Sequence, residues 1–97
     1  MLPIVFTRAA RIEILDAHGW YAARGQILAQ RFAAELDAVI TRISEKPLQF
    51  RLIQGDGRRA MMRRFPYGVF FRILSDRVQI IACLHTSRDP RQWQNRM

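Results

Sequence analysis

Apolar residues recur along this chain with two different periods, and the change falls at Pro47. Leu2 to Phe6 is a short β-branched and aromatic run with a proline in second place, so it reads as an edge strand or the first residues of one. Thr7 then offers a hydroxyl to cap a helix. At about 100° per residue, Ala10, Ile14, Ala17 and Tyr21 fall within about 60° of one another, the stripe of a helix from about Arg8 to Arg24 that Gly25 can end in the left-handed conformation. From Gln26 to Glu45, Leu28, Phe32, Leu36, Val39 and Ile43 lie within about 80°, with Gln30, Asp37, Thr41 and Ser44 on the opposite side. Lys46-Pro47 stops this second helix, and the short turn between the two makes an antiparallel αα-hairpin.

Beyond Pro47 the pattern is extended. Gly55-Asp56-Gly57 is a turn, and Arg58 to Phe65 reads as a strand whose arginines lie on both faces, which leaves its orientation open. Pro66-Tyr67-Gly68 marks a tight bend. Tyr67, Val69, Phe71 and Ile73 alternate with Gly68, Phe70, Arg72 and Leu74, and Ser75-Asp76-Arg77 turns the chain again. Val78 to Leu84 is apolar everywhere but Gln79, the mark of a central strand covered on both faces. These elements predict an α+β domain of order β-α-α-β-β-β: a helical hairpin on a three-strand antiparallel meander, with the N-terminal strand free to join the sheet.

Length makes this a single domain, since 97 residues with 49% apolar side chains suffice for one core. Met1 to Phe6 is followed by Arg8 and Arg11 instead of a longer apolar run, which argues against a cleaved signal peptide, and no stretch approaches a bilayer span. A single cysteine, Cys83, fits a reducing compartment, so a cytoplasmic location without a membrane partner is expected. The net charge of +8 is uneven. Residues 1–57 carry seven basic and six acidic side chains, whereas residues 58–97 carry nine arginines against two aspartates. A patch of this kind attracts nucleic acid, an acidic protein segment or a charged groove on a larger target.

Several residues invite chemistry. His85, where the last strand leaves the core, is a possible general acid or base, although a structural or partner-binding role ranks ahead of it. His18 lies mid-helix and is read as solvated or at an interface, and Cys83 as a small buried hydrophobe. No histidine or cysteine spacing fits a metal site, and nothing calls for a cofactor. Arg58, Arg59, Arg63 and Arg64, interleaved with Met61, Met62, Phe65 and Tyr67, suit phosphate gripping and base stacking; as well, they suit a solvated strand edge that resists aggregation. Trp93 is an anchor tucked onto the sheet or an interface hot spot, with burial favoured. On the first helix, Ile12, Leu15, Gly19, Ala22 and Ala23 form a second apolar face, which either meets the second helix or awaits a partner chain.

Three strings carry a family resemblance: R-R-F-P-Y-G-V-F-F-R-I (Arg63 to Ile73), I-I-A-C-L-H ending at His85, and H-T-S-R-D-P-R-Q-W-Q-N-R (His85 to Arg96). With Phe32, Glu35, Leu36, Asp37 and Ile40 in the second helix, the chain resembles the ParE branch of the RelE/ParE toxins of type II toxin-antitoxin (plasmid stabilisation) systems. The resemblance implies a helical hairpin over a twisted antiparallel sheet, held inactive in a hetero-oligomer by a ParD-like antitoxin with an acidic C-terminal segment. It implies DNA gyrase as the target, inhibited by binding, with Arg63, Arg64, Tyr67, Arg72, Arg88, Arg91, Trp93 and Arg96 as target-binding residues. The antitoxin would engage Ile12, Leu15, Phe65, Tyr67 and Phe71. The runner-up is a RelE-type ribosome-dependent mRNA endonuclease, in which His85 and Arg72 would be catalytic. A third reading is a module of decayed toxicity that only binds its antitoxin and helps repress the operon.

Overall fold

The computed structural model describes residues 1–96, in the order β1 (Ile4–Phe6), α1 (Arg8–Ala22), α2 (Gln26–Glu45), β2 (Arg51–Gln54), β3 (Gly57–Met61), β4 (Tyr67–Ile73), β5 (Val78–His85) and α3 (Arg91–Gln94). Thr7 caps α1 as its position predicts, its Oγ1 accepting the Ala10 N–H at 3.1 Å. The helix stops two residues earlier than expected, with the N–H groups of Arg24 and Gly25 both donating to Tyr21 O at 3.0 Å. Gly25 is extended, not left-handed, and serves as the N-cap residue of α2. A three-residue link therefore reverses the chain, and the hairpin stacks Tyr21 of α1 on Phe32 of α2 with ring centroids 5.3 Å apart.

The helix periods select the buried residues with three exceptions, the first being Ile14, which is half-buried against the core. Ala10, Ala17, Tyr21, Phe32, Leu36, Val39 and Ile43 are buried, but Leu28 is exposed and its neighbour Ala29 takes the core position. Ser44, expected on the polar side, is buried because its hydroxyl donates to Leu2 O at 2.6 Å while the Leu2 N–H donates to Ser44 O at 3.0 Å. These two bonds tie the end of α2 to the chain just before β1.

The sheet has five strands in the order β1-β5-β4-β3-β2, with β1 parallel to β5 and every other pair antiparallel. The expected meander thus gains a strand: β2 pairs with β3 through a two-residue turn in which Gly55 has φ 56, the left-handed region glycine tolerates. The strand expected over 58–65 ends at Met61. There the chain loops back over α2, where the Glu35 carboxylate accepts the N–H groups of both Arg63 and Arg64. Register also settles the arginines of β3. Arg58 pairs with Phe71 on the face under the helices and donates to Phe50 O at 2.7 Å, and Arg59 pairs with Phe70 on the outer face.

The main core lies between the hairpin and the inner face, and a smaller one, of Phe70, Ile81, Ala82, Leu84 and Trp93, lies under α3 on the outer face. Strand β5 is therefore buried on both sides, as its sequence predicts. Its outer edge is a separate matter, because β1 accompanies it only from Val78 to Ile80. Past that point side chains replace the missing ladder. Arg96 Nη1 donates to Ile81 O at 2.9 Å, Glu13 Oε1 accepts the Cys83 N–H at 3.0 Å, and Arg96 and Glu13 pair at 2.8 Å.

This three-way joint yields a stability prediction. Glu13→Ala leaves a half-buried guanidinium and a strand N–H without their acceptor and should cost about 2 to 3 kcal/mol. Glu13→Gln, which still offers an oxygen to Cys83, should cost less. Urea unfolding followed by circular dichroism measures both.

Candidate functional site

The first candidate surface is the outer side of α1. Ile12 and Leu15 are 47% and 69% exposed, Ala22 and Ala23 are exposed, and a Cβ placed on Gly19 would have no atom within 4 Å. The second helix does not cover this face. Trp20, 51% exposed, stands beside it with the Arg24 guanidinium 3.3 Å from its ring centroid. A folded chain that leaves such side chains together in water presents an interaction surface.

Of the residues the resemblance assigned to antitoxin contact, only Ile12 and Leu15 lie open. Phe71 is fully buried in the main core, because its place in β4 turns it to the helix side with Val69, so it has no surface to offer. Phe65 is buried against Tyr21 and Phe32 at centroid distances of 4.9 and 5.3 Å. Tyr67 is half-buried in the same aromatic cluster. Burial raises its pKa, helped by Tyr21 and Cys83 and opposed by Arg88.

A second region surrounds His85, at the end of β5. A pocket of about 370 Å³ is lined there by Glu13, Asp16, Trp20, Tyr67, His85 and Arg88, among others. The His85 Nδ1 faces Ser87, accepting its backbone N–H at 3.1 Å with the hydroxyl at 2.9 Å, and the ring meets Tyr67 edge to face at 5.3 Å. Arg72 is not here. The antiparallel register puts it opposite Gln79 and His85 opposite Tyr67, so the two sit at opposite ends of the β4–β5 pair, five residues or roughly 17 Å apart. The His85–Arg72 catalytic pair is thus not assembled.

The arginines assigned to target binding divide among separate places. Arg63 and Arg64 project from the loop over α2. Arg72 lies on the outer sheet face with Nη2 3.4 Å from Asp56, its Nε buried without a partner among the described residues. Arg88 and Arg91 flank the start of α3, and Asp89, whose carboxyl Arg91 holds below its ordinary range, pairs with Arg91 at 2.7 Å. Arg96 is engaged in the Glu13 joint. Trp93 is 1% exposed and stacks on Phe70 at 4.7 Å, so it anchors α3 and presents no ring to a target. His18 is exposed, and no cluster of three or more metal-ligating side chains occurs among the described residues. No described helix is long and apolar enough to cross a membrane.

Glu13 and Glu35 carry functions in the architecture that the sequence does not announce. A carboxylate at a helical position is ordinarily solvated, and only the tertiary placement of the 63–64 and 83 amides shows what each one accepts.

The architecture is a helical hairpin laid on one face of a five-strand sheet, with a short C-terminal helix on the other. The sequence model described as "ParE toxin of type II toxin-antitoxin system, parDE" matches residues 4–90, and the chain belongs to that family. Among solved structures it is similar to one titled "Chromosomal ParDE TA system from P. aeruginosa", with a TM-score of 0.76 at 17% identity over 88% of this chain and 96% of that one. A sequence comparison with curated proteins finds no match.

The cysteine generates a further prediction. Burial, and secondarily the charge of Glu13, push the Cys83 thiol up to about 12. The folded protein should resist a thiol reagent at pH 8 and react fully once denatured. Because the folded pKa exceeds the unfolded value of 9.0, this group's stability contribution is complete below that value and declines as pH climbs toward about 12. Thiol titration and melting temperatures across this window check both statements.

Proposed function

We propose that this toxin inhibits DNA gyrase by binding, and that a ParD-like antitoxin silences it by covering the outer side of α1. The observation that carries the reading is the open apolar face of Ile12 and Leu15, left uncovered by the chain's own second helix. An antitoxin segment that is acidic and partly apolar fits it: burial of its apolar side chains supplies affinity, and the basic C-terminal half of the toxin accelerates encounter. Separation of Arg72 from His85 weighs against the endonuclease reading by removing its assigned pair. That reading keeps one supporting observation, the pocket that gathers Asp16, Tyr67, His85 and Arg88, and it is retained as the second.

The toxin free of antitoxin should inhibit supercoiling by purified gyrase while leaving ribosome-bound mRNA intact, and His85→Gln should reduce toxicity modestly at most. Codon-phased cuts in mRNA, abolished by His85→Gln and with supercoiling unaffected, would establish the second reading instead. Leu15→Glu should weaken antitoxin binding by about 2 kcal/mol or more, measured by titration calorimetry, because a carboxylate is forced into an apolar contact. A complex that forms equally well with this variant rules out the α1 face.

A further inference from the structure

We propose that the groove on the outer face of the sheet, opposite the helical hairpin, docks an acidic protein segment bearing at least one large apolar side chain. This deepens the reading of the chain as a toxin that acts by binding, and assigns the contact to a surface distinct from the α1 face. The groove holds about 420 Å³ between β3, β4 and α3. Its floor is Met61, Gly68, Phe70 and Leu84, and Arg59 and Arg88 stand among its lining residues.

Shape comes first. Gly68 faces Met61 across the β3–β4 pair. A Cβ at Gly68 would lie 3.2 Å from Met61 Sδ, 3.3 Å from Phe70 Cε2 and 3.4 Å from Arg59 Cδ. The missing side chain therefore lets a thioether, an aromatic edge and an arginine stem close over the strand and form a continuous apolar floor. Met61 remains 38% exposed there, and an unbranched thioether adapts to varied apolar side chains.

Charge comes second. Neither Arg59 nor Arg88 forms a salt bridge with a carboxylate among the described residues, and Asp89, the one acid lining the groove, is already paired with Arg91 at 2.7 Å. The occupant must be negative. Its apolar part decides between a nucleic acid and a protein. Strand-tracking nucleic-acid sites hold bases on open aromatic faces. Here the Phe70 and Trp93 rings are stacked on each other at 23° and both are buried, and the remaining aromatic ring, His85, is packed edge to face on Tyr67, so the groove has no run of open aromatic faces for successive bases. Aliphatic and thioether contact with flanking arginines suits carboxylates spaced around a leucine or phenylalanine.

Fluorescence anisotropy of the full-length chain tests this with a labelled decapeptide of aspartates and glutamates interrupted by two leucines and a phenylalanine, and with a labelled single-stranded oligothymidylate of equal length. The acidic peptide should bind, and a version with lysines in place of its acids should not. Met61→Glu should weaken binding about tenfold or more, and Arg59→Gln should weaken it and flatten its salt dependence. Met61→Gln, which adds no charge, guards against a folding defect and should weaken binding as well. Binding lost in Leu15→Glu but retained in the groove variants would overturn the proposal, as would preference for the oligonucleotide or binding of neither probe. None of these measurements involves gyrase, so failure of the target assignment and failure of the groove are read separately.

Discussion

Everything in this fold leans on β5, and β5 is a strand with too short a neighbour. It is covered on both faces, paired along its whole length with β4, and accompanied on its other side by only three residues of β1. Backbone groups left bare at such depth carry a heavy desolvation penalty. Their partners come from three distant parts of the chain: Thr7 at the start of α1, Glu13 one turn and a half later, and Arg96 near the C-terminus. The need to satisfy one strand edge therefore fixes where α1 lies and why the last residues return to the sheet.

The same constraint separates two surfaces. With α1 held against β5 by Glu13, its inward stripe of Ala10, Ala17 and Tyr21 enters the core, and Ile12 and Leu15 are turned outward. With Arg96 held to Glu13, Trp93 is drawn over Phe70, and α3 forms one wall of the outer groove. Opposite sides of the sheet thus acquire different chemistry: an apolar ridge of helix on one, a basic trough with a soft floor on the other.

Much of this was legible in the sequence because the relevant signals are local. The Thr7 cap, the helical stripes, the arrest at Pro47 and the apolar run of β5 all depend on residues within a few positions of one another. Strand β2 was not legible, since Arg51-Leu52-Ile53-Gln54 offers only two apolar residues and owes its conformation to pairing with β3. The run from Met62 to Phe65 looked extended because it continues the apolar spacing of β3; Glu35, far away in the chain, folds it into a loop. For the site, Ile12 and Leu15 were readable as a second face of α1. Burial of Trp93 is the reading its place in the sequence favours, whereas that Phe71 is interior, and that Arg72 and His85 lie apart, followed only from the strand register.

The parallel pairing of β1 with β5 joins residues far apart along the chain, Ile4 with Val78. A chain that emerges from the ribosome N-terminal end first can form its helical hairpin early, yet α1 has no floor until β5 has followed it out. Arg96 arrives later still. Long-range closure of this kind is slow and leaves apolar surface open meanwhile. A chain interrupted before β5 therefore lacks the strand on which α1, β1 and β4 all rest, and no part of the hairpin's inner face has its floor until that strand is in place.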